Sequence, residues 1–200
     1  MAAIDPDFGL FLEAQAEALK ANPMPPLDQV PPDMLRAGYR MQRQAQDQNA
    51  PQDLDVRDLA LPGPHGDIPV RLYEPHGLAA PSGLLVYFHG GGWTIGDLET
   101  HDGHCRRMAA WGGCRVLAVD YRLAPENPFP KSHDDALAAT RWAFDHAAEI
   151  GADPARIAVG GDSAGGNLAA SVALDLKDDA QRRLAFQLLL YPATTAEWKT

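Results

Sequence analysis

Three runs in this 200-residue chain, Leu84 to Phe88, Val116 to Val119 and Ile157 to Val159, are short and almost wholly apolar. A strand with one face in water alternates apolar with polar residues. A strand covered on both faces reads as a continuous apolar run, which is the condition of a parallel sheet held between helices. Helix-like stretches lie among and after these runs, at Thr100 to Trp111, Asp134 to Ile150 and Gly165 to Leu176. Strand and helix in alternation predict an α/β fold, with a mostly parallel sheet and flanking helices. Phe186 to Leu190 offers a sixth strand. Two earlier strands are expected where Leu54, Val56 and Leu59 alternate with charged residues and where Ile68 to Tyr73 follows the turn Pro62-Gly63-Pro64-His65-Gly66-Asp67.

The first fifty residues read differently. Phe8 to Lys20 places Phe8, Leu10 or Phe11, Leu12 and Leu19 where a surface helix would carry one apolar stripe. Pro23, Pro25, Pro26, Pro31 and Pro32 then deny the backbone donors a helix needs, so a linker is expected before helical composition resumes from Asp33 to Gln48. Residues 1 to about 50 are therefore expected to be an appendage to a core spanning 51–200.

Composition excludes several classes of function. Seventeen Lys and Arg against twenty-seven Asp and Glu give a net charge of −10, which repels phosphate backbones and anionic membrane surfaces. Nucleic acid is not an expected partner. Cys105 and Cys114 alone make neither a disulfide framework nor a zinc cluster. No segment reaches membrane-spanning length, and Met1 to Leu10 has Asp5 and Asp7 but no basic leader, so a cytoplasmic protein is expected.

Two glycine-rich motifs carry chemistry. Gly161-Asp162-Ser163-Ala164-Gly165 matches G-x-S-x-G, a pattern that average composition would produce in roughly one chain in fifteen of this length. Its placement, straight after one predicted strand and straight before a helix, is what gives it weight. A serine on such a turn is thrust out of the sheet, the glycines relieve crowding, and the new helix aims its N–H groups at the reaction centre. The competing reading is a glycine-rich connection with an incidental serine. His89-Gly90-Gly91-Gly92 follows Leu84 to Phe88, and consecutive glycines leave N–H groups open to a developing alkoxide. An isolated glycine run is more often a flexible turn; together with the serine turn it points to acyl transfer.

At this point the residues carry a resemblance. His89-Gly90-Gly91-Gly92-Trp93, Asp120-Tyr121-Arg122-Leu123-Ala124-Pro125-Glu126 and Gly161-Asp162-Ser163-Ala164-Gly165-Gly166-Asn167 resemble the hormone-sensitive-lipase family of esterases, the bacterial family IV enzymes of the α/β-hydrolase superfamily. The likeness runs from the proline-rich N-terminal region, similar to the family's cap helices, to Leu188-Leu189-Leu190-Tyr191-Pro192. It implies Ser163 as nucleophile and the N–H groups of Gly91, Gly92 and Ala164 as oxyanion hole. His89 and Gly90 would support that loop, and Asp120 to Glu126 would be architectural. It implies a carboxylic-ester hydrolase acting on short- to medium-chain esters, with a small-molecule ester as partner, no cofactor and no metal; a homo-oligomer is a separate expectation for the assembly.

One departure is plain. The superfamily orders its triad Ser, acid, His, yet all seven histidines, His65, His76, His89, His101, His104, His133 and His146, precede Ser163. Asp175, Asp178, Asp179 and Glu197 follow it without matching the family's acid. His101, His104 and His133, near Asp102 and Asp134, are weak candidates for a substitute base. The expectation is a chain truncated at its C-terminus, with acid and base beyond residue 200, impaired turnover, and Phe186 to Leu190 as an uncovered apolar edge prone to aggregation. Two alternatives remain open: a receptor-like protein that binds a small molecule without hydrolysing it, as plant gibberellin receptors similar to this family do, and a half-domain completed by another chain. Trp93, Met34, Met41 and Phe11 are the sequence's candidates for an apolar substrate pocket.

Overall fold

The structure is a computed structural model that describes residues 5–21, 25–26 and 29–195, save the side chains of Phe11 and Leu19. Two helices, α1 (Pro6–Ala21) and α2 (Pro32–Gln46), precede strands β1 (Leu54–Leu61), β2 (Ile68–Pro75) and β3 (Ser82–Phe88). Then come α3 (Asp102–Gly112), β4 (Arg115–Val119), α4 (Lys131–Asp145), β5 (Ala152–Asp162), α5 (Ala164–Asp175) and β6 (Phe186–Leu190). The expected elements are all present. α4, however, ends at Asp145 rather than Ile150, because His146 leaves the helical line and the chain turns through Gly151, whose φ is 65°.

The six strands form one sheet in the order β1-β2-β4-β3-β5-β6. β1 and β2 are antiparallel, as are β2 and β4, while β4, β3, β5 and β6 run parallel. Pleating divides the inner strands between two cores. Leu84, Val86 and Phe88 face the side covered by Ala136, Ala139, Ala143 and Phe144 of α4 and by Leu168, Ala169 and Val172 of α5. Leu85 and Tyr87 face the opposite side with Cys105 and Ala109 of α3. Both faces are thus dry, which explains why the inner strands read as unbroken apolar runs.

That order positions the site. The chain leaves β3 for β4 on one side and returns to β5 on the other, so the loops following β3 and β5 part at adjacent strand ends, where Phe88 pairs with Gly161. A sheet crevice of this kind is where ligands bind in open α/β folds. β6 pairs with β5 alone among the described residues, leaving Phe186 and Leu189 exposed. The expected stripe of α1 is likewise exposed at Phe8, Leu10 and Leu12. Among the described residues, no helix is long and apolar enough to cross a membrane.

Candidate active site

Ser163 stands between the end of β5 and the first turn of α5 with φ 51° and ψ −114°. A side chain held there costs about 1–3 kcal/mol, a strain that persists only where the surroundings enforce it. They do so from three directions. Ser163 N donates to Leu190 O at 2.9 Å, while Asn167 N and Ala193 N donate to Ser163 O at 3.1 and 2.9 Å. Asn167 Nδ2 in turn donates to Ala193 O at 2.8 Å. The segment after β6 is therefore part of the serine turn, a role that no motif in the sequence announces.

The two glycines of the motif make room for this turn against β3. A Cβ on Gly165 would fall on the carbonyl oxygen of Phe88, and one on Gly161 would lie 2.5 Å from the same atom. Neither position admits even a methyl group.

Beside this turn runs His89-Gly90-Gly91-Gly92, where Gly91 adopts φ 126°, a conformation closed to side chains. Among the described residues the N–H groups of Gly91, Gly92 and Ala164 donate to no protein acceptor. Open donors on one loop and at a helix N-terminus are what an anionic oxygen requires.

His89 is buried and stacks on Tyr121, with ring centroids 4.3 Å apart. Its Nδ1 meets Gly90 O at 2.8 Å, and Tyr121 OH donates to His89 O at 2.6 Å. Burial, reinforced by nearby His101, pushes the imidazole down to about 4, so it is neutral at physiological pH. Those contacts tie the ring and backbone of His89 to Gly90 and Tyr121.

Asp162, which occupies the variable position of G-x-S-x-G, proves to be the hub beneath both loops. Its Oδ1 accepts from Tyr87 OH at 2.7 Å and from Gly90 N at 2.9 Å, with His101 Nε2 at 3.5 Å. Tyr191 OH reaches Oδ2 at 3.4 Å. Burial opposes its ionisation, but His101, Tyr87 and the Gly90 N–H outweigh burial and hold the carboxyl far below the usual range. Tyr87, a polar ending inside the otherwise apolar run Leu84 to Phe88, is the hint the sequence offers.

Of the histidines considered as substitute bases, His101 and His133 are paired with other carboxylates. His101 is buried against Asp162 and Thr100 rather than lying on a solvated face, and Asp102 pairs with Arg71 and Arg106 instead. His133 meets Asp175 at 3.0 Å, not Asp134, which pairs with His65. His104 Nε2 is buried without a partner. His76 bridges Asp53 and Asp55, and His146 stacks on Trp142. None is hydrogen-bonded to Ser163.

A cavity of about 330 Å³ opens next to the turn, touching Gly92 and Asn167, with Trp93, Ala124, Phe129 and Leu168 as apolar lining. Of the pocket candidates named from the sequence, Trp93 lines this cavity. Met34 and Met41 are exposed on α2 and line nothing there, since that helix buries none of its residues. The Phe11 side chain lies outside the described residues. Among the described residues no group of three or more His, Cys, Asp or Glu is placed to hold a metal ion.

The neutral state of His89 makes a prediction with a definite sign. A base whose folded value lies below its unfolded one takes up fewer protons when folded, so stability is lost as pH falls from 6.5 toward 4. Asp120, pushed up to about 6 mainly by burial, opposes this in the same window. Comparing His89→Gln with the parent isolates the histidine: between pH 7 and 5 the variant should retain about 2 kcal/mol more of its stability, read from urea melts.

A parallel-rich sheet, a strained serine at a strand-to-helix turn and a glycine loop with open donors define an α/β hydrolase. The family described as alpha/beta hydrolase fold matches residues 85–200, and the chain belongs to it. Among its relatives, the carboxylic ester hydrolase LipN of Mycobacterium tuberculosis is 53% identical over 146 residues, covering 70% of this chain and 39% of LipN. Ethyl acetate hydrolase of Pseudomonas putida is 37% identical over 200 residues, 97% of this chain and 62% of that protein. The ester-hydrolase EH1AB1 from the metagenome of Lake Arreo, solved with a derivative of bipyridine phosphonate, superposes with a TM-score of 0.91 at 40% identity. That match covers 99% of this chain and 63% of EH1AB1. The chain therefore spans from well under half to under two thirds of these relatives.

Proposed function

We propose that this chain carries the nucleophile and oxyanion hole of a carboxylic-ester hydrolase. The observation that carries the reading is the strained Ser163 at a sheet crevice beside the three open N–H groups of Gly91, Gly92 and Ala164. Ser163 Oγ attacks the ester carbonyl as its proton passes to a base, and the carbonyl oxygen becomes an alkoxide bound by those donors. The C–O bond to the alcohol then breaks, leaving an acyl-enzyme that water releases as the acid. Each donor is worth about 3 kcal/mol to that tetrahedral state.

None of the seven histidines is hydrogen-bonded to Ser163, which supports a triad acid and base supplied from outside these 200 residues. Residues 1–50 act as the cap and 51–200 as the hydrolase core. The cavity of about 330 Å³ lies at the small end of ligand pockets, in keeping with a short-chain acyl or alcohol group.

An activated phosphonate tests the assignment, because it bonds only to a serine that behaves as a nucleophile. In the full-length protein it should add one adduct, at Ser163, and none after Ser163→Ala. Full-length protein that stays unlabelled would count against hydrolysis and favour the receptor-like reading, in which the same crevice holds a small molecule unchanged.

A further inference from the structure

α2 reaches the core by an uncommon route. A helix normally docks through apolar residues at i, i+4 and i+7, but α2 has no fully buried residue, and beside half-buried Leu35 and Tyr39 it presents a stripe of Arg36, Arg40 and Arg43. Each arginine fastens to the segment just after the glycine loop. Arg36 Nε donates to Thr94 O at 2.8 Å, Arg40 pairs with Asp97, and Arg43 Nε donates to Thr100 O at 3.0 Å.

Arg36 does more than tether. Its Nη2 donates to Ala124 O at 2.9 Å, and its two terminal nitrogens grip Glu126 at 2.7 and 3.0 Å. That hydrogen-bonded grip holds the Glu126 carboxyl down to about 2, so the pair stays charged in any ordinary buffer. Three acceptors from two loops meet on one planar fork, a task a guanidinium can perform and an ammonium cannot.

Both carbonyls lead directly to the open donors. Thr94 N and Ile95 N each donate to Gly91 O at 3.0 Å, Thr94 Oγ1 donates to Gly92 O at 3.1 Å, and Ala124 N donates to Trp93 O at 2.8 Å. The turn at 91–95 and the loop at 121–126 are joined there, and Arg36 closes the join from outside.

We propose that Arg36 is a positioning residue for the N–H donors of Gly91 and Gly92, so that docking of α2 and ordering of the 91–95 turn are one coupled event. The N-terminal segment is then a structural member of the oxyanion hole and not only a cover above it. The catalytic meaning rests on the hydrolase reading; the coupling itself does not.

Hydrogen exchange on the full chain and on Arg36→Gln, Arg36→Lys and Glu126→Gln tests it. Both Arg36 variants should speed exchange at Thr94 and Ile95 about tenfold or more, together with α2, while β3 and β5 keep their parental protection. Glu126→Gln, which spares the two carbonyl bonds, should loosen α2 more than it loosens Thr94 and Ile95. If Arg36→Gln unfolds the sheet, the milder Arg36→Lys decides. Faster exchange in α2 with Thr94 and Ile95 unmoved would reduce Arg36 to a tether, and full protection in Arg36→Lys would show that charge alone suffices; either overturns the proposal, as does no change anywhere. In a protein that turns over ester, Arg36→Lys should lower kcat with KM near the parent's. A Ser163 that takes no phosphonate would defeat the hydrolase reading and leave the exchange result standing.

Discussion

On the proposed reading, replacing Ser163 by alanine is expected to lower ester turnover by about a million-fold in a protein where this chain is joined to a triad acid and base, with the fold left in place. The serine hydroxyl makes no hydrogen bond among the described residues, so its loss strands no buried partner. Alanine also has the same Cβ at φ 51° and inherits the strain unchanged. The same substitution should have almost no effect in residues 1–200 alone. Nucleophile and base act as a unit, and once one is missing, removing the other costs little more. Rates on a short-chain nitrophenyl ester, with thermal melts alongside, measure both cases. A large loss in the short chain would reveal a base among the seven histidines, and a small loss in the longer protein would mean that another group attacks the ester.

Gly165→Ala is expected to destroy stability rather than activity alone. The added methyl would land on the Phe88 carbonyl oxygen, with Phe88 C at 2.5 Å and His89 O at 2.6 Å. These are backbone atoms of β3 and its loop, held by ladder bonds to β4 and β5 and unable to swing aside as a side chain could. Relief requires α5 to lift from the sheet, uncovering Leu168, Ala169 and Val172. Overpacking costs about 1–3 kcal/mol where neighbours can adjust, and the loss here should exceed about 4 kcal/mol. Gly92→Ala is the control. Nothing lies within 4 Å of a Cβ there, so only the strain of φ 59° is incurred, about 1–2 kcal/mol. Urea melts of the two variants compare them, and equal losses would refute the steric account.

Much of this fold could be read from single residues because the forces are local in sequence. Leu84 to Phe88 had to be covered on both faces, and G-D-S-A-G between strand and helix had to be a sharp turn, since both statements depend on neighbours a few positions apart. The failures follow the same logic. Met34 and Met41 looked like pocket residues because methionine is apolar, but α2 meets the core through arginines and half-buried Leu35 and Tyr39, leaving both methionines in solvent. His101 looked like a helix-surface residue beside Asp102, yet its ring turns inward to Asp162, sixty-one positions away. Sequence proximity suggested the wrong carboxylate for His133 as well, because its α4 packs along α5, which presents Asp175.

What the sequence determined by itself is the chemistry on offer: a serine on a glycine-relieved turn, a glycine loop rich in open donors, and no histidine after that serine. Those are properties of composition and order, set before any chain folds. Only the tertiary structure decided how the parts are held together. Asp162 ties the serine turn to the glycine loop through Tyr87 and Gly90, and Arg36 ties a remote helix to the same loop. Such pairings join residues 58 to 88 positions apart or more. Their geometry depends on a strand order in which β3 sits between β4 and β5, so the partners of a buried carboxylate or a forked guanidinium exist only once the sheet is built.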